Sequence, residues 1–147
     1  MDRGPAVLLM VFAGGLIALQ APVNAMLGRS IGTFAAASVS FAIGTAALIA
    51  VTVLIGGGFG DLGQAGSLSW YYLTGGVLGA IYVTSALATV ATLGAGAVTA
   101  ATITGQLVTA VVADRLGVLG LDQRELSADR LVGVALLAVG TYLLVRK

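Results

Sequence analysis

The chain has 147 residues, 59% of them hydrophobic and 9% charged, with a formal net charge of +1. Soluble domains carry about 25% charged residues, so an ordinary water-soluble fold is excluded, and so is the strongly basic surface that nucleic-acid binding requires. Histidine and cysteine are both absent, which removes disulfides, thiolate metal sites and the commonest general base; no cofactor and no metal are expected.

The charges are unevenly placed. None occurs from Ser30 to Gly60 or from Leu62 to Ala113, and only Asp61 separates these stretches. A bilayer core about 30 Å thick takes about 20 apolar residues per helix, so this length allows four or five spans. The pattern predicts an all-α, polytopic membrane protein with five transmembrane helices in a single domain over residues 1–147.

The first span is expected from about Pro5 to Leu27, ending at Gly28-Arg29-Ser30. A cleaved signal peptide is the alternative: Asp2-Arg3 is a weak n-region and Val23-Asn24-Ala25 loosely fits a cleavage site. The apolar stretch is long for that role, and four more spans follow. The second span is expected from about Phe34 to Ile55, closed by Gly56-Gly57-Gly58-Phe59-Gly60-Asp61. The third runs from about Ser69 to Thr92, with Trp70, Tyr71 and Tyr72 at its start as an interfacial aromatic belt. After a tight Leu93-Gly94 connection, the fourth runs from about Ala95 to Val112. The fifth runs from about Ala128 to Val145, after the one strongly polar connection, Asp114 to Arg130.

Five spans put the termini on opposite sides. One side receives Arg3, Arg115, Arg124 and Arg130, the other Arg29, Arg146 and Lys147. Positive charge normally fixes the cytoplasmic side, and four against three is nearly a tie. Either a neighbouring subunit or one dominant charge settles orientation, or the chain inserts both ways and pairs head to tail.

Chemistry inside the spans is left to hydroxyls, amides and aromatic rings. Tyr71, Tyr82, Ser85, Thr89 and Thr92 share one face of the third span; Thr99, Thr102, Gln106 and Thr109 share one face of the fourth. Ser38, Thr45 and Thr52 repeat at seven in the second, and Gln20 and Asn24 lie one turn apart in the first. Polar groups facing lipid go unsatisfied, so these faces are expected to turn inward around a polar interior shared by the first four helices. Ser and Thr have a plainer reading, bonding to their own helix or mediating packing. Gln20, Asn24 and Gln106 are harder to satisfy locally, because an amide carries donors and acceptors together. Pro22, between two of them, removes a donor from the carbonyl of Ala18 and suggests a kink, functional or merely a packing feature. At about 1.5 Å per residue, Tyr82 and Gln106 fall near mid-membrane, with Gln20 and Ser40 nearer the Arg29 side.

Gly75 and Gly79 form a GxxxG pair, a signature of close helix approach. Gly133 and Gly140 share a face of the fifth span. That span has few polar groups to turn inward, so these glycines mark either a dimer contact or peripheral packing within one subunit.

Gly14-Gly15-Leu16-Ile17-Ala18-Leu19-Gln20-Ala21-Pro22-Val23-Asn24-Ala25, with Thr104-Gly105-Gln106-Leu107 and Asp114-Arg115-Leu116-Gly117, resembles the YdcZ-like family, small five-span members of the drug/metabolite transporter superfamily. The likeness covers most of the chain. The heptad from Gly133 to Gly140 is weakly similar to the dimer helix of small multidrug resistance exporters. The resemblance implies a transporter working as an antiparallel or otherwise paired homodimer in the cell membrane, with its substrate site between the copies and Gln20, Asn24 and Gln106 lining it. Small multidrug exporters use a first-helix glutamate for proton-coupled cation binding, whereas here that helix holds no acid beyond Asp2. Proton antiport through such a carboxylate is therefore not expected, nor is a strongly cationic substrate.

The functional expectation is a small-molecule transporter alternating access around a polar midplane site. Gln20, Asn24, Tyr82 and Gln106, with Ser40, Ser85 and Thr102, would contact a neutral or weakly charged solute, and Gly133 and Gly140 the second copy. The expected partners are that solute, membrane lipid and the second copy. The rivals are a flippase for a lipid or lipid-linked sugar, and an accessory subunit without transport. An enzyme is not expected, because no nucleophile–base pair can be assembled from these spans.

Overall fold

In lipid a lone segment satisfies its backbone only as a helix, and each long apolar stretch of this chain takes that form. The computed structural model describes residues 2–60, 62–120 and 122–146. Among them are α1 (Arg3–Ile31), α2 (Thr33–Leu54), α3 (Gly75–Leu93), α4 (Ala95–Leu116) and α5 (Ala128–Val145), with no strand. Short 3₁₀ helices cover Leu62–Ser67 and Trp70–Thr74, and the second runs directly into α3. Counting Trp70–Leu93 as one span, five helices are long and apolar enough to cross a membrane.

Contacts divide the chain into two compact units, Met1–Ala91 and Thr92–Lys147. In the first, α1 and α2 pack together as a hairpin joined by one residue, Gly32. Its φ of +86° is open to glycine and strained for other residues, and its N–H donates to the Gly28 carbonyl at 2.8 Å. The expected stop at Gly28 was therefore early. Gly28 is a packing residue: a Cβ there would lie 3.8 Å from the Ala36 Cβ and the Leu87 Cδ2. α1 also continues through Pro22.

Small residues let these helices approach. Ala36, fully buried, clusters with Ala37, Val83 and Leu87, and Leu27, Phe41 and Tyr82 pack against them. Of the GxxxG pair, Gly79 sits where a Cβ would come 3.4 Å from the Phe41 ring, while Gly75 faces open space. Most large apolar side chains are exposed, Phe34, Leu54 and Ile55 strongly so, as lipid allows and water does not. Trp70 and Tyr71 meet edge to face at 6.5 Å, and Tyr71 and Tyr72 at 4.5 Å, at the start of their span.

In the second unit α4 packs on α5. α4 runs four residues past the expected end at Val112, so Asp114 and Arg115 lie in its last turn. Gly117, left-handed with φ +62°, caps it through a bond from its N–H to the Ala113 carbonyl at 3.0 Å. The chain then folds back: the Arg124 N–H donates to the Asp114 carbonyl at 2.8 Å, and Gln123 Nε2 to the Arg115 carbonyl at 3.0 Å. Ser127 caps α5, accepting from the Arg130 N–H at 3.4 Å.

Gly28→Ala should be tolerated, because its Cβ meets neighbours at ordinary contact distance. Gly28→Leu should wedge α1 away from Ala36 and Leu87. The expected loss is about 1–3 kcal/mol, read as a lower thermal midpoint in detergent.

Candidate functional site

Among the described residues, Asn24 is the one buried polar side chain, at 7% exposure. Its Nδ2 donates to Ser40 Oγ at 3.0 Å. The hairpin register explains the pairing. Asn24 lies eight residues before Gly32 and Ser40 eight after it, so they meet level across the turn. Gly28 and Ala36, each four residues from Gly32, obey the same rule. One turn further from the hinge, the register sets Gly44 level with Gln20, and a Cβ at Gly44 would meet open space.

Gln20, Asn24 and Tyr82 line one cleft with Ala21, Val83, Ala86 and Leu87. α1 contributes the amides one turn apart, and α3 contributes the ring with an apolar wall. The cleft is tight, without room for a water-sized body. Gln20 is exposed at its margin, whereas Asn24 is enclosed.

The structure thus brings Gln20, Asn24, Ser40 and Tyr82 together within the first unit. Ser85 lies one turn beyond Tyr82, exposed and outside the cleft lining. Thr102, half-buried, and Gln106, exposed, belong to α4 in the second unit. Gly133 lines a separate groove between α4 and α5, and a Cβ at Gly133 or Gly140 would meet open space.

Several hydroxyls once grouped as inward polar stripes bond to their own helices. Ser38 donates to the Phe34 carbonyl at 2.9 Å, Thr52 to Leu48 at 2.8 Å and Thr89 to Ser85 at 2.8 Å. For these the packing reading is the better one.

Two contacts went unforeseen. Thr141 Oγ1 donates to the Ala100 carbonyl at 3.0 Å and lies 2.6 Å from Thr104 Oγ1. Arg130 Nη1 donates to Asp114 Oδ2 at 3.2 Å. Arg130 and Thr141 stand eleven residues apart, about three helical turns. That shared face was a readable signal that α5 turns its polar side to a neighbouring helix.

Five apolar spans, with a buried amide and a tyrosine on a common cleft, define a multi-pass membrane protein. The family described as "Putative inner membrane exporter, YdcZ" matches residues 5–143, and the chain belongs to that family. It is an inner-membrane protein, consistent with the drug/metabolite transporter superfamily, and its family points to a membrane transporter. No curated protein and no solved structure matches the chain.

A double-mutant cycle checks the central contact. Asn24→Ala and Ser40→Ala should each destabilise the protein in detergent and couple by about 0.6 kcal/mol, the usual size for an interhelical hydrogen bond in a membrane. Additive losses would mean that the two side chains do not support each other.

Proposed function

We propose that the protein moves a small, neutral or weakly charged solute across the inner membrane by alternating access. Asn24, buried and flanked on one cleft by Gln20 and Tyr82, carries this reading. An amide that must be desolvated costs stability unless its bonds are met, and polar groups kept within spans usually serve function. Ser40 holds Asn24 in place, and Gln20 at the margin meets the solute first. Ser85, Thr102 and Gln106 are further proposed contact positions.

The tightness of the cleft supports a closed form that must open to load. The space beside Gln20, where Gly44 offers no side chain, favours opening at that end. The absence of an acid in α1 beyond Asp2 favours hydrogen-bond recognition over cation capture.

We further propose that both units act as one transmembrane domain and that two copies pair antiparallel, with Gly133 and Gly140 at the contact. Two observations support pairing: the near tie of positive charges between the two sides, and amides at Gln20 and Gln106 exposed on single copies in apolar spans.

Proteoliposomes loaded with a panel of radiolabelled polar solutes test the site. For whichever solute the native protein moves, Gln20→Leu and Gln106→Leu should each lower flux about tenfold or more, the worth of one lost hydrogen bond, with the oligomer intact. Normal flux in both variants rejects the assignment.

Orientation is tested separately by tags at both termini. Each tag should be reached from both faces of the membrane in comparable amounts. A single population would leave the copies parallel.

A further inference from the structure

The groove between α4 and α5 has the polarity profile of a phospholipid. It encloses about 300 Å³, at the lower end of ligand-pocket volumes. Leu107, Ala110, Val111 and Asp114 follow one face of α4, and Arg130 and Gly133 complete the lining from α5. From Asp114 back to Leu107 the wall runs about 10 Å into the span. Its charged end lies at the last turn of α4 and the first turn of α5, where a headgroup would sit. Its other end is apolar, and a Cβ at Gly133 would meet open space.

The charged end is held but not closed. Arg130 and Asp114 share a single contact, from Nη1 to Oδ2, and their side chains are 29% and 31% exposed. Among the described residues, Asp114 Oδ1 and the other guanidinium N–H groups of Arg130 have no protein partner. A carboxylate and a guanidinium side by side present an acceptor for an ammonium and a fork for a phosphate. A purely anionic headgroup would meet the carboxylate too, and the same connection and helix start add Asp122, Glu125 and Asp129 against Arg115 and Arg124. A quaternary ammonium has no N–H to give Asp114, so a primary ammonium fits better.

We propose that this groove binds a phosphoethanolamine lipid. Its phosphate lies on Arg130, its ammonium on Asp114, and one acyl chain runs past Val111 and Ala110 toward Leu107. Its lining shares no residue with the cleft of Gln20, Asn24 and Tyr82, so it is tested apart from that site, and Gly133 alone also belongs to the proposed pairing face.

The test uses purified full-length protein in phosphatidylglycerol vesicles, with a few per cent of a phosphatidylethanolamine carrying a photoactivatable group on its acyl chain. Cross-links mapped by mass spectrometry should concentrate on residues 107–111 of α4 and around Gly133. Unlabelled phosphatidylethanolamine should compete them away, and phosphatidylcholine should not. Asp114→Asn and Arg130→Gln should each lower labelling there about tenfold, as expected for a lost charge-assisted hydrogen bond. Ala110→Leu should block the groove while leaving the ion pair in place, which covers the case where a charge variant misfolds. Uniform labelling of all apolar faces, equal competition by phosphatidylcholine, or preferential labelling by a phosphatidylglycerol probe would overturn the proposal. A groove left unlabelled while other apolar faces react would overturn it as well.

Discussion

In the middle of a bilayer no water completes a hydrogen bond, and that restriction orders the rest of this structure. A hydroxyl can escape it alone, by turning back to the carbonyl one turn earlier, as Ser38, Thr52 and Thr89 do. A primary amide has too many groups for its own helix to serve. Asn24 therefore depends on a second helix, and Ser40 supplies the oxygen. Polar residues in these spans thus divide into those that lean on their own backbone and those that fix where two helices meet.

The same solvent explains the small core. Lipid tails are as apolar as leucine, so helices gain little by hiding large side chains from them and much by packing closely. The first unit accordingly closes on Ala36, Ala37, Ala21 and Ala86 rather than on a mass of leucine. Gly28 and Gly79 remove side chains where a neighbouring helix presses in. Gly32 does a different job, accepting a positive φ so that the chain can reverse in one residue. Because that turn is so short, it sets the register of everything on the hairpin. The pairing of Asn24 with Ser40 follows from counting outward from it.

The number, order and approximate extent of the spans were legible in the sequence because apolar length is the membrane's own criterion. Their ends were less so. Gly28 was read as a terminator because composition does not distinguish a glycine needed for a dihedral angle from one needed for a neighbour. α4 was cut at Val112 because Asp114 and Arg115 were counted as loop, although a charged pair in a last turn remains near the headgroups, where it is tolerated. The amide spacing placed Gln20 and Asn24 on one face of α1, and in the structure that face shares a cleft with Tyr82 of α3. The hydroxyl periodicity was over-read, since spacing alone does not reveal whether an oxygen bonds to its own helix.

α5 shows what periodicity leaves out. None of its residues is buried, so apolar packing alone does not fix its position against α4. It is fixed by its polar contacts: Arg130 on Asp114 in the first turn, and Thr141 on Ala100 and Thr104 near the other end. Both are individually modest. A half-exposed ion pair is weakened by screening, and interhelical hydroxyl bonds in membranes average about 0.6 kcal/mol. Their value lies in separation: anchors about 16 Å apart along one helix, at 1.5 Å per residue, hold both its tilt and its register. Beside each anchor a glycine, Gly133 near Arg130 and Gly140 next to Thr141, leaves space rather than filling it. A helix held near its ends, with small residues beside its anchors, offers lipid or a second copy a surface without having to unfold to do so.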